Sequence, residues 1–251
     1  NMIESVDIGG QPDIPRLEES FNRLIRRHES LRTGFFLRDG QTVQRIYPAA
    51  PLSIRTGVSS LRDFVRPFDL AVPPLMRAGI MDLPGGGCRI YIDMHHIISD
   101  GVSQAILLQD YLAFYNGRQL PPLKLRYVDY AQWQLRRDRV EDGSGQGDFW
   151  RNKFSGEIPV LTLPYDFPRP AVQSPEGNVL PLQPVPGLLH KLQHLARHGD
   201  ATVFMVVLAA VNVLYHRLSG QEDIVIGVPV AGRRHADLQQ MIGLFVNTLP
   251  I

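Results

Sequence analysis

The chain has 251 residues, room for one large domain or two small ones at about 150 residues per domain. Its 26 Lys and Arg almost cancel 25 Asp and Glu, which removes the broad electrostatic case for a nucleic-acid or membrane-surface binder. With 44% hydrophobic and 20% charged residues it is not a disordered chain, and a lone cysteine, Cys88, excludes an internal disulfide and a multi-thiolate zinc site, which suits a cytoplasmic protein.

In chain order, the first ten residues carry no export-signal pattern. Ile14, Leu17, Phe21, Leu24, Ile25, His28 and Leu31 then recur at three- and four-residue steps, which predicts an amphipathic helix capped by Asp13. Thr33 to Leu37 and Thr42 to Tyr47 read as strands around the turn Arg38-Asp39-Gly40. Leu75 to Asp82 and Cys88 to Met94 form a second pair around Pro84-Gly85-Gly86-Gly87, which is a turn and not a phosphate cradle because no helix follows it. Helices are expected over Val102 to Tyr115 and Val128 to Arg139, then a flexible loop over Glu141 to Asp148. A proline-rich passage from Pro159 to Pro186 looks like a crossing between lobes. Gly187 to His198 and Thr202 to Leu218 follow as helices, the second with a buried apolar segment, Phe204 to Leu214, too short for a membrane span. Asp223 to Val230 reads as a buried strand and Leu244 to Leu249 as another. Alternating helices and strands give an α/β or α+β class, a sheet covered by helices. The abrupt start and the stop at Ile251 predict a piece of a longer chain.

The stretch with chemistry is Met94-His95-His96-Ile97-Ile98-Ser99-Asp100-Gly101, running from a strand end through a turn into a helix. Neighbouring residues of an extended chain point to opposite sides, so one histidine can face a cavity while the other packs beneath it. An imidazole titrates near pH 6.5 and can take or position a proton at neutral pH. Asp100 can cap the helix or pair with a cation, and Gly101 permits a tight turn. For an isolated pair, the alternative is one core histidine, one surface histidine and an ordinary cap. A metal reading lacks a third ligand at a suitable spacing. His190, His194 and His198 share one helix face opposite Leu188, Leu192 and Leu195, which predicts a solvated histidine face over a buried leucine stripe. No G-x-S-x-G elbow is present, and Cys88 has no nucleophile context.

His95-His96-x-x-x-Asp100-Gly101 resembles the HHxxxDG signature of nonribosomal peptide synthetase condensation domains and related acyltransferases. It does not stand alone. Arg27 to Phe35 (RHESLRTGF) resembles the family's RHExLRTxF, Tyr127 to Gln134 (YVDYAQWQ) its YxDYAxWQ, and Ile242 to Thr248 (IGLFVNT) its IGxFVNT. Weaker echoes lie at Phe68-Asp69-Leu70, Pro74 to Arg77, Leu163 to Pro170 and Ser219 to Asp223, so the resemblance runs along nearly the whole chain. The departures are a missing SxAQxR-like motif at the start and Pro73-Pro74 where Gly-Pro is usual.

The resemblance implies a chloramphenicol-acetyltransferase-like fold of two lobes with a tunnel between them. It implies an N-terminal lobe over 1–165, a crossing over 166–186, and an incomplete C-terminal lobe over 187–251. Donor and acceptor peptidyl carrier proteins would bring phosphopantetheine-tethered thioesters, with adenylation domains nearby. No bound cofactor, metal, nucleic acid or membrane is expected. His96 would act as general base or orient the acceptor amine, and His95 would be buried support. Asp100 would pair with an arginine, for which Arg32 is the family candidate, and the Gly101 amide could help hold the oxyanion. The Ile-Ser of the signature resembles the subtype joining two L-residues. Heterocyclisation is disfavoured because those relatives carry aspartates in place of the histidines, while epimerisation and ester formation stay open. The other class is a non-catalytic platform for carriers or tailoring enzymes. Such platforms lose the second histidine, and His96 is intact.

Overall fold

The computed structural model describes residues 1–140, 145–174 and 177–251. Two compact units emerge: Asn1–Gly145 with Pro229–Thr248, and Gln146–Val228 with Leu249–Ile251. This differs from the expected division at 165 and 186. The first unit closes before the proline-rich passage and takes back a later segment, residues 229–248, because buried polar contacts described below hold that segment there.

The first unit opens with strand β1 (Met2–Ile8), which the sequence reading missed because its side chains are mostly exposed and it follows no apolar pattern. Helix α1 (Ile14–Arg27) follows, with the Asp13 carboxylate accepting from the Arg16 amide at 3.1 Å and with Leu17, Phe21, Leu24 and Ile25 buried as the periodicity predicts. Strands β2 (Thr33–Arg38) and β3 (Gln41–Ile46) form the expected hairpin, with Asp39 and Gly40 at positive φ. After a short helix, α2 (Leu61–Phe64), strands β4 (Met76–Asp82) and β5 (Cys88–Met94) pair antiparallel, and β1 adds to the other edge of β5. Helices α3 (Gly101–Tyr115) and α4 (Tyr127–Val140) complete the main run of the unit.

Alternation along β4 and β5 gives the sheet two dissimilar faces. Met76, Ala78, Ile80, Ile90, Ile92 and Met94 turn toward α1 and α3 and form the main core, each fully buried aliphatic side chain contributing about 1.5–3 kcal/mol. Phe21 of α1 meets Tyr111 of α3 there, ring centroids 4.4 Å apart. The opposite face carries Arg77, Gly79, Tyr91 and Asp93. A Cβ on Gly79 would lie 2.6 Å from the Phe64 ring and 2.8 Å from Val58, so only glycine lets that small cluster close on the sheet.

The second unit holds α5 (Gln146–Lys153), α6 (Leu188–His198) and α7 (Val203–Ser219). The expected loop over Glu141 to Asp148 lies partly outside the described residues, at 141–144. Its last part is the start of α5, where Trp150 stacks on Phe154 with centroids 6.0 Å apart. Residues 175 and 176 of the proline-rich passage also lie outside. Gln221 ties residues 160–162 of that passage to the end of α7, donating to the Val160 carbonyl (3.0 Å) and accepting from the Thr162 amide (2.8 Å).

Two expectations fail here. The segment Phe204 to Leu214 is helical but not buried: Phe204, Met205 and Val213 are more than half exposed, and α7 has no buried residue. The leucine stripe of α6 is only partly covered, with Leu188 and Leu195 exposed, Leu192 half-buried and only Ala196 of that helix buried. Periodicity marks a face as apolar, but it supplies no layer to cover it.

The strand expected over Asp223 to Val230 is limited to β6 (Gly227–Val230), paired with β7 (Asn247–Pro250). Leu244 to Val246 stay out of β7. The Phe245 amide is taken by Asp100 at 2.9 Å and the Leu244 carbonyl by the Tyr127 hydroxyl at 2.7 Å, so neither group is free for a ladder. Among the described residues no single helix is long and apolar enough to cross a membrane, and α6 with α7 meets that test only as a pair bent by 100°.

Candidate active site

Strand β5 ends at Met94, and the chain then turns through a 3-10 segment, His96–Ile98, into α3. Backbone bonds fix the turn. His95 N–H donates to Leu75 O (2.9 Å), Ile98 N–H to His95 O (3.2 Å) and Ser99 N–H to His96 O (3.2 Å). His95 also caps the turn with its own ring, Nδ1 accepting from the Ile97 amide at 3.0 Å. An accepting Nδ1 requires the neutral Nε2–H tautomer. Burial lowers the His95 pKa below 6.5, with His96 adding and the nearby Asp93 opposing, which favours this neutral form. His95 is half-buried, where the resemblance implies a buried support, and Phe68 meets its ring edge-on. His96 is exposed, and among the described residues its ring makes no hydrogen bond.

Beneath the turn, Ile98, Ser99 and Asp100 are buried. The Asp100 Oδ1 caps α3 by accepting from the Ser103 amide (2.8 Å) and meets Arg233 Nη2 (3.2 Å), while Oδ2 accepts from the Phe245 amide (2.9 Å). Burial by itself raises a carboxyl's pKa. The hydrogen bonds from Phe245 and Ser103, together with the Arg233 charge, outweigh it and hold Asp100 below the ordinary 3.8. Asp100 is therefore a buried anion that ties the turn to the 229–248 segment.

Asp100 pairs with Arg233 and not with Arg32, the family candidate. Arg32 instead donates to the Tyr47 carbonyl (2.5 Å) and meets Glu29 (3.4 Å), bracing the end of β3. The true partner, Arg233, is buried and engaged through both of its terminal nitrogens. Its Nη1 donates to the Leu238 and Met241 carbonyls (2.6 Å each) and its Nη2 to the Ser103 hydroxyl (2.6 Å), and its guanidinium lies 4.0 Å from the Phe245 ring centroid. Gly232 just before it has φ +67, and a Cβ there would run into the Phe245 carbonyl, so the arginine's approach depends on glycine. Sequence reasoning missed Arg233 because nothing local separates it from Arg234. Ser103 was findable, since its amide stands three residues after the Asp100 cap.

Gly101 begins α3, and its amide is one of the first N–H groups of the helix, which have no partner within it. The turn itself does not need a glycine there: its φ is not left-handed, and a Cβ would meet no atom within 4 Å. The outer histidines of α6 are exposed, with the His194 and His198 rings 4.3 Å apart. Among the described residues no group of three or more His, Cys, Asp or Glu is placed to hold a metal ion. Cys88 is buried, and burial raises its thiol pKa.

The family model for the Condensation domain matches residues 1–251. The chain is 41% identical over 258 residues to tyrocidine synthase 3 of Brevibacillus parabrevis and 43% identical over 258 residues to surfactin synthase subunit 1 of Bacillus subtilis strain 168. Both alignments take in 100% of this chain but 4% and 7% of those proteins, so the chain spans a small part of the relatives it matches. The crystal structure of the X-domain from teicoplanin biosynthesis matches with a TM-score of 0.86 at 27% identity, over 100% of this chain and 60% of that one. A four-domain nonribosomal peptide synthetase bound to AMP and glycine matches with a TM-score of 0.84 at 27% identity, over 100% of this chain and 20% of that one. The mixed helix and sheet architecture is thus of the chloramphenicol-acetyltransferase type, as the resemblance implied.

Proposed function

The chain belongs to the condensation-domain family, and from that premise we propose that it forms amide bonds between two carrier-bound thioesters in nonribosomal peptide synthesis. The acceptor aminoacyl amine attacks the donor acyl or peptidyl carbonyl. A C–N bond forms, the C–S bond breaks, the amine proton is given up, and the donor carrier's pantetheine thiol is released. His96 orients the amine or takes its proton. The Gly101 amide, at the start of α3, is suited to the negative charge developing on the carbonyl oxygen. Asp100 does not touch substrate. It is a positioning residue that holds the turn through Arg233 and Phe245.

The observation that carries this reading is the contrast within one short turn. His96 is exposed and unbonded, while Asp100 three residues after Ile97 is buried with its carboxylate in three hydrogen-bonding contacts. The partners are donor and acceptor carrier proteins, with adenylation domains as neighbours, and a single cysteine fits a reducing cytoplasm. The platform reading draws support from the teicoplanin X-domain, which was also solved in complex with OxyB. The higher identity to peptide synthetases and the intact His96 favour catalysis over it.

The test is to give the full-length domain donor and acceptor carriers loaded with amino acids and to follow dipeptidyl thioester by mass spectrometry. His96→Ala should lower the rate by about 100-fold or more, the usual range for a lost general acid or base. Absence of product with the wild type, or undiminished product from His96→Ala, sinks the catalytic assignment.

A further inference from the structure

Backbone bonds fix the path of the His95–Asp100 turn, and the Ile97 amide holds one ring nitrogen of His95. A second contact to that ring comes, through Phe68, from the other face of the sheet. Arg77 on β4 and Asp93 on β5 are direct cross-strand partners, with Arg77 Nε 3.4 Å from Asp93 Oδ2. Asp93 is fully buried, so the guanidinium cannot leave it without stranding a carboxylate. Asn1 Nδ2 donates to the same oxygen at 3.0 Å. Arg77 Nη2 also donates to the Pro67 carbonyl at 3.3 Å, and its guanidinium carbon lies 3.7 Å from the centroid of Phe68, the next residue. Phe68 in turn meets the His95 ring edge-on, centroids 6.2 Å apart at 85°.

We propose that Arg77 is a positioning residue for the reaction: held by Asp93 and Pro67, it fixes Phe68 against His95, which locks the Nε2–H tautomer that caps the turn presenting His96. A purely structural role fits less well. Two buried charges of this kind are commonly replaced by apolar residues at no cost in stability, whereas a flat guanidinium on one face of Phe68 has no apolar substitute. The inference rests on His96 as the reacting group, but its first readout does not require turnover.

The experiment uses the full-length domain labelled with 15N-histidine. Phe68→Leu, Arg77→Lys and the double variant Arg77→Met/Asp93→Leu are compared with the wild type. The double variant removes both charges together and so leaves neither buried alone, and Arg77→Lys is the milder change if it fails to fold. The wild-type His95 signals should show the Nε2–H tautomer. In Phe68→Leu and the double variant they should shift toward a mixture of tautomers, with kcat lower by about tenfold or more and KM within about twofold, as expected when a reacting group is misplaced and substrate binding is kept. Arg77→Lys should fall between. Unmoved His95 signals in the folded variants overturn the proposal, and so does a moved signal with unchanged kcat. If His96→Ala leaves product formation intact, the proposed function fails instead, and that failure is seen in the wild-type background without any of these variants.

Discussion

At the scale of single residues, the site divides by burial. His96 is presented to its surroundings, and everything that holds it lies beneath. The histidine pair, Asp100 and Gly101 were legible because they stand together in sequence, where strand, turn and cap chemistry can be argued locally. Arg233 was not, since its partner lies 133 positions away and a guanidinium's destination is decided by folding. Removing one member of so buried a pair should be costly. Arg233→Met is expected to lose about 3–5 kcal/mol in urea unfolding, because Asp100 stays charged without its counter-ion. Asp100→Asn in the same chain should recover part of that loss, and additive losses would contradict the pairing. The pH dependence has a definite sign. A folded pKa below 3.8 makes the Asp100 contribution complete above that value and lost as pH falls through the lower folded one, so Asp100→Asn should flatten the acid limb there.

At the scale of elements, α1 shows how far a pattern reaches. Its apolar stripe and its Asp13 cap follow from spacing alone, whereas its burial against α3 is supplied by the fold. The pattern also places His28 on that stripe, but not what it does there. The ring is buried with Nε2 2.9 Å from Asp110 of α3, and Nδ1 accepts from the Ile242 amide at 3.3 Å. Ser30 adds a bond to the Ile242 carbonyl at 2.8 Å. One histidine therefore pins α1, α3 and the 229–248 segment together. Burial lowers its pKa below 6.5, the Asp110 bond opposing and the Arg27 and Arg233 charges adding. As pH falls, the unfolded chain takes the proton first. The stabilisation is complete above pH 6.5 and is lost as pH falls from there through the folded pKa. The urea midpoint should drop between pH 7 and pH 5 in the wild type and drop less in His28→Gln. Equal drops in both proteins would rule out His28 as the group responsible.

At the scale of the whole molecule, the two units differ in what they bury. The first has a contiguous core between its sheet and two helices. The second leaves Phe204, Met205, Val213 and Leu214 of α7 exposed. Exposed apolar faces of this kind bind hydrophobic dyes. This chain should enhance anilinonaphthalene sulfonate fluorescence, and Val213→Lys with Leu214→Glu should reduce the signal; an unchanged signal would place the dye elsewhere. The sequence by itself determined the helices and hairpins with strong periodicity, the α+β class, and the turn that carries the histidine pair. Each of those is set by neighbours within a few residues. Tertiary structure alone decided that Arg233 and not Arg32 answers Asp100, that Leu244 to Val246 serve as hydrogen-bonding partners and not as strand, and that the apolar face of α7 stays uncovered. Those outcomes depend on which distant groups arrive at the same place, and a buried charge or amide takes the partner that the packing brings to it.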